Sequence, residues 1–176
     1  HGGVLLDQTV TGYGADRRSL RVSKMRGVKF RTGRHDTTLD LGGLTVFPRL
    51  VAADHRRAFA QRAVSSGIAE FDTLLAGGLD RGTTALIAGP AGAGKSSIAA
   101  QFAHAALGRG EKVALFSFEE GLAAFFTRAT GLGMEFANFE RDGTFMARQV
   151  DPAELAPAQF VHAVRSAVDN GAQLVL

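Results

Sequence analysis

The residues with the clearest capacity for chemistry form one stretch, Gly89-Pro90-Ala91-Gly92-Ala93-Gly94-Lys95-Ser96-Ser97. A glycine, four variable residues and then Gly-Lys-Ser is the G-x-x-x-x-G-K-[ST] spacing of a phosphate-binding loop. Glycines let successive backbone N–H groups turn inward toward one anion, and the N-terminus of a following helix adds positive potential at the same place. Lys95 would bridge the β- and γ-phosphates, the Ser96 hydroxyl would ligate Mg²⁺, and Ser97 is placed for an α-phosphate contact. ATP and Mg²⁺ are the expected ligands. Such a loop holds phosphates; it does not by itself cleave them.

A second group that could act on a held phosphate is Glu119-Glu120 in "FSFEEG". It stands at the carboxyl end of the strand expected after the loop's helix, the end of a parallel sheet where ligands bind. A carboxylate there can orient and deprotonate an attacking water. Adjacent side chains diverge, so one glutamate can serve water while the other holds a loop or a neighbouring cation. The competing reading is that acidic residues simply open a helix, where its dipole favours them.

Positioning these groups requires a strand on each side of the loop's helix, and the sequence supplies the pattern. "TTALIAG" reads as a buried strand, "KSSIAAQFAHAALGRG" as a helix with Ile98, Phe102, Ala105 and Ala106 on one face, and "KVALFSF" as a second strand. "GLAAFFTRATGLG" follows as a helix with Phe125, Phe126 and Ala129 inward, and "TFMARQV" as a third strand. "PAQFVHAVRSAVDNG" is a helix with Pro157 in its first turn and Gly171 at its end, and "AQLVL" opens another strand. This alternation predicts an α/β fold with a largely parallel central sheet. Ahead of it, Ser65 or Ser66 is expected to cap a short helix carrying Ile68, Phe71, Leu74 and Leu75, ended by Gly77-Gly78.

The first 50 residues read as all-β. "VLLD", "SLRVSKMRG" and "TTLDLGGLTVF" are short and rich in Val, Leu and Thr, with Gly42-Gly43 expected at a hairpin turn. So little apolar content suggests that this segment completes a sheet begun upstream rather than folding alone. Residues 49–64 read as a basic linker with a weak helical period. The chain starts on His1 and ends on "AQLVL", so it is expected to be a fragment.

Bulk composition, with 45% apolar and 21% charged residues, is that of a soluble globular protein. The absence of cysteine excludes disulfides and thiolate metal sites and fits a reducing compartment, so a cytoplasmic location is expected. No run approaches the roughly 18–20 apolar residues a membrane helix needs. Charge is split: residues 1–62 carry 12 Lys+Arg against 5 Asp+Glu, and the remainder 8 against 12. A basic segment of this kind suits nucleic acid, an acidic partner, or simply solvated strand faces. His1, His35, His55, His104 and His162 have no metal-ligand spacing and read as structural or surface residues. Phe125, Phe126, Phe136 and Phe139 read as core rather than as a base-stacking platform.

Taken together, "SSGIAEFDTLLAGGLDRGT", "GPAGAGKSS", "GEKVALFSFEEG" and "DPAEL" resemble, in order and spacing, the KaiC-like ATPases of the RecA superfamily. "SLRVSKMRG…HD" and "GGLTVFPRL" resemble the closing β-hairpins of a preceding domain of the same kind. The resemblance implies three parts: residues 1–48 as the tail of one domain, 49–64 as a linker, and 65–176 as the first half of a RecA-like P-loop domain. It implies that the glutamate pair includes the water-activating base, with Glu119 expected in that role and Glu120 in support. It implies that Lys24 and Arg26 reach the nucleotide of a neighbouring subunit in a homo-oligomeric, hexameric ring, where a cation supplied in trans stabilises charge on the γ-phosphate. For "KMRG" the plainer reading is a basic strand edge that discourages pairing. His35-Asp36 are expected near the same interface. An Asp that completes the metal side is expected just after Leu176, and Ser/Thr autokinase activity, known in some members, would depend on residues further on.

Three functions remain open on the residues alone. One is an ATPase that drives or times conformational change in a ring, with protein signalling partners. Another is a DNA-dependent recombinase or motor, disfavoured by the lack of a basic loop interleaved with aromatics. The third is a nucleotide-gated scaffold with little turnover.

Overall fold

The computed structural model describes residues 1–51 and 62–176. Most of the expected basic linker, with His55, lies outside the described residues. The chain divides into two compact units, His1–Arg56 with Asp151–Ser166, and Arg57–Val150 with Ala167–Leu176.

In the first unit, β1 (Gly2–Thr9), β2 (Arg17–Met25), β3 (His35–Asp40) and β4 (Gly43–Phe47) form an antiparallel sheet in sequential order. The last hairpin turns one residue earlier than expected. Asp40 pairs with Gly43, so Leu41 and Gly42 make the turn, and Gly43 at φ 106° takes the left-handed backbone as the strand begins. His35 is buried in this unit. Its Nδ1 accepts the Arg49 backbone N–H at 3.0 Å, which leaves Nε2 to donate to the Arg31 carbonyl at 3.1 Å and so fixes the tautomer. The Asp36 carboxylate accepts from the Ala158 N–H at 3.0 Å, in the first turn of α5 (Pro157–Asp169), where negative charge suits the helix dipole. His162 lies edge-on to Phe47 and bonds the Pro48 carbonyl. Both histidines thus tie backbone segments of this unit together.

The second unit is mixed α/β. Its sheet has three parallel strands in the order β8 (Phe145–Gln149), β7 (Lys112–Ser117) and β9 (Ala172–Val175). β7 is central and, in keeping with that place, apolar on both faces at Val113, Ala114 and Phe116. On it packs α2 (Lys95–Gly108), through Ala100, Ala103, Ala106 and Leu107. α3 (Leu122–Gly131) adds Phe125 and Ala129, and Met134, Phe136 and Phe145 complete the core. Phe126 and Phe139 pack against this cluster, and His104 lies edge-on to Phe136 and Phe139. The phenylalanines are core residues. A short α4 (Ala137–Arg141) and a two-residue antiparallel pair, β5 (Ala63–Val64) with β6 (Leu79–Asp80), were not legible in the sequence pattern.

Two expectations fail here. Residues 84–89 carry no regular secondary structure, and Leu86 is 90% exposed, where "TTALIAG" predicted a buried strand. The segment faces β9 across a cavity of about 340 Å³ that Thr84, Ala85 and Ile87 line with Leu174 and Val175. An apolar run becomes a strand only if a neighbour's edge accepts its backbone bonds. β9 is four residues long and its ladder among the described residues is with β7 alone. Nor does a serine cap α1 (Ala69–Leu74): Ile68 occupies that position with no side-chain cap. Asp72 takes the role in reverse, accepting from the Ser65 hydroxyl at 2.5 Å and the Ser66 N–H at 2.8 Å. Ser66 is fully buried, its hydroxyl accepts from the Ile68 N–H, and its carbonyl accepts from Gln101 of α2. Of the expected apolar face, Phe71 packs edge-on to Phe102, whereas Ile68 and Leu74 are exposed.

The hydrogen bonds from Ser65 and Ser66 hold the Asp72 carboxyl below its ordinary value. A lowered folded value means that the stabilisation is present above the unfolded pKa and lost as pH falls through the folded one. Asp72→Ala should therefore lower the thermal midpoint at about pH 6, and the gap from wild type should shrink toward about pH 3. Melting curves followed by circular dichroism across that range check this, and a gap independent of pH contradicts it.

Candidate nucleotide site

The loop before α2 has the backbone that its glycines suggest. Gly92 (φ 78°) and Gly94 (φ 88°) are in the left-handed region, and Gly94 is the residue from which α2 starts. At Gly89 an added Cβ would lie 3.4 Å from the Ala93 Cβ and 3.9 Å from Lys95 Cγ, ordinary van der Waals contacts across the loop. Pro90, Ala91 and Ala93 form the turn between, held by the Ala93 N–H on the Pro90 carbonyl at 3.3 Å. The same carbonyl receives the Lys95 ammonium at 2.8 Å. Lys95 is thus folded back over the loop, with its charge on an acceptor that a phosphate oxygen can replace. No side chain caps the α2 N-terminus, so its first N–H groups are left to other acceptors. Ser96 and Ser97 stand in that first turn.

Beside the loop lies a cavity of about 540 Å³, lined by Ser96 and Ala99 of α2, Leu115 and Ser117 of β7, and Glu119 and Glu120 beyond it. The parallel pairing of β7 with β8 and β9 puts the glutamates at the carboxyl end of the sheet, and the α2 register brings Ser96 to the same cavity. Glycines in the left-handed region, a helix start without a side-chain cap, an ammonium on a replaceable acceptor and a hydroxyl lining the same cavity as carboxylates fit phosphates and a hard divalent cation.

The two glutamates differ. Glu120 is half-buried and ion-paired through Oε1 to Arg128 Nη1, on α3. Its carbonyl accepts the Ser117 hydroxyl at 2.5 Å, tying the turn to the end of β7. Glu119 is exposed and makes no ion pair among the described residues. Arg128, in turn, lies over the Phe125 ring at 5.7 Å. Arg128 escaped the sequence reading, because an eight-residue separation across a turn and a helix start matches no local pairing rule. Lys24 is the penultimate residue of β2 and Arg26 follows its end. Both are exposed and belong to the first unit.

The family model described as "ATPase: KaiC" matches residues 64–167. The chain belongs to the KaiC ATPase family. It is 32% identical to the circadian clock oscillator protein KaiC of Parathermosynechococcus lividus over 127 residues, 72% of this chain and 23% of that protein. Against the protein of the same name from Prochlorococcus marinus (strain MIT 9313) the figures are 31%, 72% and 25%. With that of Synechococcus elongatus, identity is 27% over 154 residues, 88% of this chain and 30% of the relative. The chain thus spans 23–30% of the length of these relatives. Among the described residues no helix is long and apolar enough to cross a membrane.

The loop's backbone makes a sharp contrast testable. Gly94→Ala forces an L side chain into the left-handed region and should cost about 1–2 kcal/mol of stability. Gly121 is extended (φ −63°, ψ 141°) with open space around it, so Gly121→Ala should be neutral within about 0.5 kcal/mol. Chemical denaturation of the two variants measures the difference. Equal losses would show that backbone conformation at Gly94 is not what the loop depends on.

Proposed function

We propose that this chain is the nucleotide-holding half of a RecA-like P-loop ATPase domain that binds Mg-ATP at Gly89–Ser97 and hydrolyses it. The observation that carries the reading is the shared cavity: Ser96, at the start of an uncapped helix, and Glu119, without an ion pair among the described residues, line the same space.

On this reading the α2 N-terminus and the N–H groups of the glycine turn bind the phosphates, and Lys95 leaves the Pro90 carbonyl for the β- and γ-phosphate oxygens. Mg²⁺, held in part by Ser96, would offset negative charge on those oxygens. Glu119 accepts a proton from water as the water oxygen bonds to the γ-phosphorus. The bond from that phosphorus to the β–γ bridging oxygen breaks, ADP leaves, and the proton passes from Glu119 to solvent. Glu120 supports the turn. The resemblance further suggests a ring in which Lys24 and Arg26, at the end of β2, serve the nucleotide of an adjacent subunit, with residues 1–48 closing a preceding domain and 49–64 linking the two.

In the full-length protein carrying this sequence, Lys95→Ala should abolish ATP binding, measured by equilibrium titration with a fluorescent ATP analogue. Retained affinity would sink the assignment. Glu119→Gln should leave that affinity intact and slow hydrolysis by about 10²-fold or more; unchanged turnover would rule out Glu119 as the base.

A further inference from the structure

The proposed reaction needs one base but the turn after β7 carries two adjacent carboxylates, and Arg128 treats them unequally. Its Nη1 engages Glu120 alone. Its guanidinium rests on Phe125, whose ring is 4% exposed and packed in the core against Phe136 and Phe145. Its Nε and Nη2 are buried and have no hydrogen-bond partner among the described residues. A guanidinium held this way cannot release its carboxylate cheaply, because the charge would then be half-buried and unpaired. One Glu120 carboxylate oxygen is committed to the guanidinium, so Glu120 is the less available acceptor for a water proton. Two unpaired carboxylates side by side would repel, and each would compete for the same proton. Both glutamates line the cavity, but Glu120 is paired and its carbonyl bonded by the Ser117 hydroxyl, which leaves Glu119 as the carboxylate there without an ion pair among the described residues.

We propose that Arg128 is a positioning residue for ATP hydrolysis: by pairing with Glu120 it removes that carboxylate from proton transfer and sets Glu119 as the base. Arg128 acts through Glu120 and touches neither nucleotide nor water. The inference rests on the hydrolytic reading above, so its test must separate the two.

The experiment is a double-mutant cycle in the full-length protein, reading kcat and KM for ATP with nucleotide affinity and the thermal midpoint alongside. Arg128→Ala should lower kcat by about 10-fold with KM changed less than about twofold, because only the chemical step is affected. Arg128→Lys, which keeps the charge, should recover most of that loss, and Arg128→Gln, which keeps much of the stem over Phe125, should not. In a Glu120→Gln background the neutral amide needs no counter-charge, so adding Arg128→Ala should cost less than about twofold further. Should Arg128→Ala fail to fold, the Lys and Gln variants carry the same cycle. A loss that is equal in both backgrounds, full activity of Arg128→Ala and Arg128→Gln, or equal losses in the Lys and Gln variants would overturn the proposal and leave Arg128 a packing residue. Failure of the hydrolytic reading looks different: Glu119→Gln would then turn over at the wild-type rate whatever the cycle gives.

Discussion

The contact on which the site depends is the alanine face of α2 against β7. Ala100, Ala103 and Ala106 are each at most 1% exposed. Small side chains let a helix lie close to what it packs on, and here that is the central strand of a parallel sheet. This fixes two ends at once. The α2 N-terminus arrives beside the carboxyl end of β7, and the turn carrying Glu119 and Glu120 leaves from that same end. A larger residue at any of these three positions would lift the helix and part the glycine-rich loop from the carboxylates that border its cavity.

Charge around the cavity is distributed on the same plan. The cations near the loop are each engaged by a protein acceptor: Lys95 by the Pro90 carbonyl and Arg128 by Glu120. They are not equivalent. A neutral carbonyl yields to a phosphate, while a carboxylate under a stacked guanidinium does not. On the proposed reading, one cation is available to a phosphate and the other organises the acidic turn.

Much of this was legible in the sequence because it depends on local pattern. The phosphate-loop spacing, the extents of α2, α3 and α5, and the strands β7, β8 and β9 follow from periodicity and from glycine and proline placement. What was not legible depends on partners distant in the chain. "TTALIAG" has the composition of a buried strand, but its pairing turns on what β9 offers. Ser65 and Ser66 have the right chemistry for a helix cap and spend it on Asp72, because the chain enters α1 through Gly67 in a left-handed turn. The Glu120–Arg128 pair needs the turn, the helix start and the Phe125 ring together, and none of these announces the other two.

The central claim is that the two glutamates have different tasks at one nucleotide site. Its most direct measurement is a structure of the full-length protein with Mg²⁺ and a non-hydrolysable ATP analogue, at a resolution that shows ordered water. The account predicts phosphates on the Gly89–Ser97 loop and a water in line with the γ-phosphorus, within about 2.6–3.2 Å of a Glu119 carboxylate oxygen, while Glu120 stays on Arg128. A water held by Glu120, with Arg128 turned away from it, would contradict the account.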